Sequence, residues 1–296
     1  MRISTKQLHM LLVGLDYALL AAGGIVLLLW LALWWRAGRR DPLRGSPLRP
    51  QRLGPLSVWV CLLAYPLGAS VWTGMVDWTA GDHFSEEQIN LWRSLMAGNL
   101  TLLFMTLICL AVARGAFIGG LRGFGLRLPR ARFGWAYVPG GWLISILVTQ
   151  LLLMACVHLL DKLGYQMPEH NVFLALHDPT MPAWVHRLAI GGALMLAPVG
   201  EELFFRGVIQ SGLRRMVWPR YGSWRHRWFA IVLTGFLFGL AHYNNIRDVL
   251  PLAAFGIILG YLYERTGSLY VPILVHVLFN AKPLLWFAIM KYGQAL

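Results

Sequence analysis

The chain has 296 residues, of which 57% are hydrophobic and only 13% charged, with a mean hydropathy of +0.57. That balance excludes an ordinary soluble domain and fits a single polytopic membrane domain. The net charge of +13 does not point to nucleic acid, because the basic residues lie in short segments between apolar runs and follow no RNA-binding or zinc-finger pattern.

The first apolar run, about Leu11 to Trp35, is long enough to span a bilayer core of ~30 Å and too long for the apolar part of a cleavable signal, so it predicts a retained helix. Asp16 within it is expected to snorkel or pair rather than to react. Arg36, Arg39, Arg40, Arg44, Arg49 and Arg52 follow, against the single Asp41. The positive-inside rule makes this loop cytoplasmic and the N-terminus external. A second helix, about Pro55 to Val76, leads to an acidic outer loop with Asp77, Asp82, Glu86 and Glu87. A third, about Trp92 to Ala113, exits into Arg114, Arg122, Arg127, Arg130 and Arg132 without an acid, and Gly115, Gly119, Gly120, Gly123, Gly125 and Pro129 make that exit a loop.

The fourth helix, about Trp135 to Leu160, returns to an outer loop holding Asp161, Glu169 and Asp178 against Lys162; His158, His170 and His177 lie nearby without metal-ligand spacing. The fifth, about Ala183 to Leu213, ends in Arg214, Arg215, Arg220, Arg225 and Arg227, a third basic loop. Shorter runs, about Trp228 to Tyr243 and Val249 to Tyr263, precede a last one from Tyr270 to Met290. The expectation is an all-α integral membrane protein, a bundle of about eight transmembrane helices with both termini outside. Residues 1–134 supply helices 1–3 and their basic loops, residues 135–296 supply a core of helices 4–8, and the two form one integrated membrane domain. Arginine outnumbers lysine 22 to 4, which suggests a prokaryotic source and so a cytoplasmic (inner) membrane. Cys61, Cys109 and Cys156 fall in separate apolar runs and read as small apolar residues. Gly235 with Gly239, and Gly256 with Gly260, are small-xxx-small pairs suited to close packing within the bundle.

Ionisable groups inside a bilayer cost roughly 3 kcal/mol or more each and read as functional by default. The fifth run carries Glu201, Glu202 and Arg206. Glu202 and Arg206 are i and i+4 with the acid first, the favoured order for an ion pair, whereas Glu201 is turned about 100° away. Arg206 is thus expected to neutralise Glu202 and leave Glu201 unpaired. Pro198 is expected to kink the helix and open room for water at that level. The sixth run places Phe238 and His242 on one face, and the eighth places His276 and Asn280 on another.

A glutamate and a histidine either side of a water can deprotonate it, and a histidine with an asparagine can donate to the oxyanion formed when it attacks a carbonyl. The same set could instead hold zinc through His242, His276 and a glutamate. HExxH, GxSG and paired YD and GxGD motifs are absent from the chain, which disfavours the other intramembrane protease chemistries. A non-catalytic membrane protein, such as an immunity or partner-binding factor, is the rival from another class.

The ordered set Glu201-Glu202-xxx-Arg206, Phe238-xxx-His242 and His276-xxx-Asn280 resembles the signatures of the CPBP family, the CAAX proteases and bacteriocin-processing enzymes also called the Abi family. The match covers about Ala183 to Phe287 and includes Gly267-Ser268-Leu269-Tyr270-Val271-Pro272. The resemblance implies an eight-helix bundle around an intramembrane catalytic cavity and a glutamate-type endopeptidase, similar to CAAX prenyl endopeptidases, without a metal or other cofactor. It implies Glu201 as base, His242 assisting water activation, His276 and Asn280 at the oxyanion, and Glu202, Arg206 and Phe238 in support. Expected partners are the bilayer and a protein or peptide substrate delivered to it, with no nucleic acid. Helix counting sets His276 ~9 to 12 Å and His242 ~20 Å from the cytoplasmic side. The sixth helix must therefore start before Trp228, or be tilted or displaced, for the two to meet.

Overall fold

The computed structural model describes residues 4–38, 41–47, 49–80, 86–129, 134–165, 171–217 and 224–293. Arg39, Arg40, Asp82, Arg130, Arg132, Glu169, His170 and Arg220 lie outside the described residues. The principal helices are α1 (Thr5–Arg36), α2 (Pro55–Ala80), α3 (Glu86–Ala116), α4 (Tyr137–Lys162), α5 (Ala183–Met216), α6 (Trp224–Leu240), α7 (Ile246–Thr266) and α8 (Tyr270–Tyr292). Short helices Gly120–Phe124 and Asn171–His177 lie in the connections. Among the described residues there is no strand, only an isolated antiparallel bridge between Gln51 and Phe117. Seven of the principal helices are long and apolar enough to cross a membrane, and α6 contributes the shorter apolar stretch His226–Leu240. The chain is an all-helical integral membrane protein. Its periphery is apolar outward: α1 exposes Leu11, Ile25, Leu28, Leu29 and Leu33, as a helix facing hydrocarbon should.

The centre of the bundle is α5. Leu203, Phe204, Phe205, Val208 and Ile209 are buried with Phe238 of α6, Phe255 and Leu259 of α7, and Val271 and Val275 of α8. This helix is not regular. It is α-helical over Ala183–Gly191, Ala197–Glu202 and Ser211–Val217, and widens into π-helix over Gly192–Leu196 and Leu203–Gln210. The expected disturbance at Pro198 is thus a widened turn just before it, which gives the proline ring space beside the preceding carbonyls.

Glycines set the closest approaches. A Cβ on Gly256 would lie 2.8 Å from the Gly235 Cα, and one on Gly239 would lie 2.3 Å from the Val249 carbonyl oxygen. The expected small-residue packing inside the bundle is therefore the α6–α7 contact. A Cβ on Gly207 would lie 2.1 Å from Cζ of Phe124, so the ring of that short helix seats directly on the α5 backbone.

The basic connections gather at one end. Glu264 near the end of α7 is buried between Arg49, at 2.5 Å, and Arg214 of α5, at 3.0 Å. Burial opposes the Arg49 charge, but Glu264 and Tyr263 more than offset it and raise its pKa above the usual arginine value. Arg227 donates to the Leu43 carbonyl at 3.2 Å, and Arg127 Nε to the Gly267 carbonyl at 3.2 Å, so the 37–54 and 117–129 connections and the α7–α8 turn are tied together. At the other end Gly293 packs against Leu8. Asp16 does pair, with Lys282 of α8 at 2.7 Å.

The sixth helix differs from expectation at both ends, running Trp224–Leu240 rather than Trp228 to Tyr243. Beyond Leu240 the amides of His242 and Tyr243 bond three residues back, to Gly239 and Leu240, the tightened pattern that commonly ends a helix. His242 thus sits in the turn after α6, and the earlier start at Trp224 is one of the adjustments the depth argument required.

Candidate active site

The site forms where α5 changes from α to π geometry. Glu202, fully buried, lies 3.0 Å from Arg206 Nη1 through its Oε1. The same oxygen is 3.1 Å from Nδ1 of His276 on α8. Arg206, also fully buried, donates from Nη2 to the Gly256 carbonyl of α7 at 3.2 Å and lies 4.6 Å over the Phe238 ring. Two carboxylates and one guanidinium therefore share the interior, with a formal charge of −1 when His276 is neutral.

Glu201 has a different environment. Its side chain keeps 17% exposure, and its Oε2 stands 3.9 Å from Nε2 of His276, beyond hydrogen-bond distance. That oxygen is buried and has no hydrogen-bond partner. Because Nδ1 of His276 faces a carboxylate, it carries the proton, and Nε2 is the atom left toward Glu201.

Phe238 joins the two histidines. Its ring centre is 5.8 Å from that of His276 and 5.0 Å from that of His242, and it also packs edge-on to Phe205 at 5.1 Å. His242 has no direct polar contact with Glu201 or His276. Its Nδ1 lies 2.9 Å from the Phe238 carbonyl, which accepts and so fixes the proton on Nδ1, leaving Nε2 as a lone-pair acceptor.

Asn280 is engaged by the π turn. In that register Ala197 donates to Gly192, five residues back, so the Ala193 carbonyl would take its bond from residue 198, which is proline and has no N–H. Asn280 Nδ2 supplies the missing donor at 2.8 Å. A carboxamide has two N–H donors, so the second remains for another acceptor.

Of the seven residues expected from the sequence, Glu202, Arg206 and His276 are directly bonded, Glu201 approaches His276, Phe238 packs against both histidines, His242 lies in the turn after α6, and the Asn280 side chain bonds the Ala193 carbonyl of α5. The zinc alternative is not gathered: among the described residues no group of three His, Cys, Asp or Glu side chains is arranged to hold a metal ion. His177, singled out only as near the outer loop, packs on Phe287 at 4.9 Å. Tyr65 of α2 lies within electrostatic range of Glu201 and of Tyr243, and nothing in the sequence pattern marked it.

Residues 182–282 match the family model described as type II CAAX prenyl endopeptidase Rce1-like. The likeness to that family covers about a third of the chain. It runs from the start of α5 into α8 and holds all seven residues. An Escherichia coli protein named "Uncharacterized 24.3 kDa protein" is 33% identical over 86 residues, covering 28% of this chain and 36% of its own. The Bacillus subtilis (strain 168) protein named "Putative membrane peptidase YdiL" is 28% identical over 86 residues, covering 29% of this chain and 32% of its own. The chain thus matches about a third of the length of these curated relatives. No solved structure matches. The Rce1-like segment leaves α1 to α4 outside the likeness.

Proposed function

We propose that the protein is an intramembrane endopeptidase of the glutamate type, hydrolysing a peptide bond in a protein or peptide tail delivered to the membrane. The observation that carries this reading is the Glu201 Oε2 atom, a buried carboxylate oxygen without a partner, facing an imidazole nitrogen across a gap too long for a direct bond. Glu202 Oε2 and Arg206 Nε in the same interior also have no hydrogen-bond partner, so what sets Glu201 apart is its partial exposure and its position facing the imidazole Nε2. In the proposed reaction Glu201 takes a proton from water as its oxygen attacks the scissile carbonyl carbon, and later returns that proton to the leaving amine. His242, with its Nε2 lone pair, assists the first transfer. The second Asn280 N–H donates to the oxyanion, and His276 joins it from Nε2 once it is doubly protonated as imidazolium, a role worth about 2.7–4 kcal/mol per donor in well-formed sites. Glu202 and Arg206 hold His276 in orientation from behind.

The basic end of the bundle is assigned to the cytoplasm and both chain ends to the outside, in a prokaryotic inner membrane, on the strength of the arginine-rich connections. No metal is assigned to the reaction. The likeness to CAAX prenyl endopeptidases supports a substrate whose cleaved tail lies close to a lipid-bearing residue.

The test is a deletion strain complemented with wild type or with Glu201→Gln, comparing peptide termini in the membrane fraction. Wild type should restore a set of cleavages that the variant does not, and these should persist with 1,10-phenanthroline in isolated membranes. Full restoration by Glu201→Gln would support the non-catalytic rival, and loss to the chelator together with stoichiometric bound metal would support zinc hydrolysis.

A further inference from the structure

Outside the site, the basic end carries a cleft of about 590 Å³, within the range of small-molecule pockets, between the loop following α3 and the start of α8. Arg122 and Arg127 line it together with Leu128, Trp135, Tyr270 and Leu274. No lining residue is acidic, and no acid occurs between Arg114 and Gly134. Arg122 forms no ion pair among the described residues, whereas Arg127 is held in place by its Nε bond to the Gly267 carbonyl, and its own carbonyl accepts from Ser268 at 2.6 Å.

The apolar side of the cleft is outward. Leu128 is 67% exposed, Trp135 42%, and Tyr270 and Leu274 38% each. Trp and Tyr standing at the ends of apolar helices mark the level of a membrane–water interface, and here Tyr270 begins α8 while Trp135 lies in the short turn Gly134–Ala136 just before α4. Two guanidinium groups at headgroup level thus sit above an apolar wall that continues into the hydrocarbon zone.

We propose that this cleft binds one anionic phospholipid, its phosphodiester held by Arg122 and Arg127 and an acyl chain lying along Leu128 and Leu274. A guanidinium fork matches phosphate oxygens in pairs, and basic pockets between transmembrane helices suit acidic headgroups. The exposed apolar residues of the cleft suit hydrocarbon rather than bulk water, so the occupant is assigned as a bilayer component and not free phosphate. The bound lipid would brace the first turn of α8, one turn before His276, through the bonds joining residues 125–127 to the 267–269 turn; the binding itself is independent of the proposed protease chemistry.

Native mass spectrometry of the full chain from mixed micelles tests this, with dioleoyl phosphatidylglycerol and dioleoyl phosphatidylcholine in equal amounts so that only the headgroup differs. The wild type should retain phosphatidylglycerol at least tenfold over phosphatidylcholine, and Arg122→Gln should bring the ratio close to one. The Arg122 side chain is exposed and makes no hydrogen bond or ion pair among the described residues, so that variant should melt at the wild-type temperature in lipid-free detergent. Equal retention of the two lipids by wild type would overturn the proposal, as would an undiminished preference in Arg122→Gln. Displacement of the lipid by millimolar inorganic phosphate would overturn the assignment to a bilayer component.

Discussion

Removing the Arg206 guanidinium should destabilise the whole bundle, and the structure says by how much and why. In Arg206→Leu the fully buried Glu202 carboxylate loses its cation at 3.0 Å and keeps only the imidazole of His276 at 3.1 Å. The Gly256 carbonyl loses its donor at 3.2 Å, and Phe238 loses the cation 4.6 Å above its ring. Breaking a buried pair from one side costs about 3–5 kcal/mol, because the remaining charge is left desolvated without compensation. Much of that loss should return in Glu202→Gln/Arg206→Leu, where no charge is stranded, giving a coupling energy toward the upper end of the ~0.5–3 kcal/mol seen for contacting pairs. Arg206→Lys should fall between, since a single ammonium can reach Glu202 but lacks the planar fork that also serves Gly256. Equilibrium unfolding of the purified full chain in mixed detergent, followed by tryptophan fluorescence, measures all three together with Glu202→Gln, the single variant that completes the cycle. An Arg206→Leu protein within about 0.5 kcal/mol of wild type would refute the reasoning, that margin being the usual size of an inconsequential substitution. A double variant no more stable than the single one would refute it equally.

Gly207→Ala drives a Cβ into the Phe124 ring, 2.1 Å from Cζ, and should cost about 1–3 kcal/mol in the same unfolding assay. Phe124→Leu in the same chain should recover part of that loss. Asn280→Leu strands the Ala193 carbonyl as well as removing the proposed oxyanion donor, so it should lower stability by about 1–3 kcal/mol and lower the catalysed rate, whereas Asn280→Gln should show that the position demands length as well as an amide.

Periodicity and charge made much of the bundle readable. Eight apolar runs separated by alternating basic and acidic connections led to the right helices, because hydrocarbon demands long continuous apolar segments and leaves little choice of architecture. The Glu202–Arg206 pair was also readable, being local to one helix. Contacts across the bundle were not. Arg49 reaches Glu264 from 215 positions away, and no pattern in the loop announces it. His242 was expected on the face of a helix that in fact ends two residues earlier, since the tightened final turn follows from local bonding that a hydropathy run does not register. The π stretches escaped notice altogether, and with them the reason Asn280 faces α5: Pro198 signals a disturbance, but which carbonyl it orphans depends on whether the turn closes four or five residues back.

Those π turns also explain how two adjacent glutamates come to have different environments. Arg206, Gln210 and Arg214 on α5 bond to Gly256, Gly260 and Glu264 on α7, at 3.2, 3.1 and 3.0 Å, three rungs each spaced by four residues on both helices. On a regular α-helix a stripe of every fourth residue drifts by about 40° per step and would leave its partner within two or three steps. A π segment takes more residues per turn and turns back that drift, so Glu202, Arg206, Gln210 and Arg214 remain aligned through Leu203–Gln210. The ladder begins among the arginines of the basic end, where solvent and headgroups tolerate charge, and runs inward until Glu202 closes it. Glu201, the next residue round the helix, falls off this line. The ladder neutralises Glu202 and turns its neighbour toward His276 with one oxygen unbonded, so the unpaired carboxylate is a consequence of how α5 is held against α7.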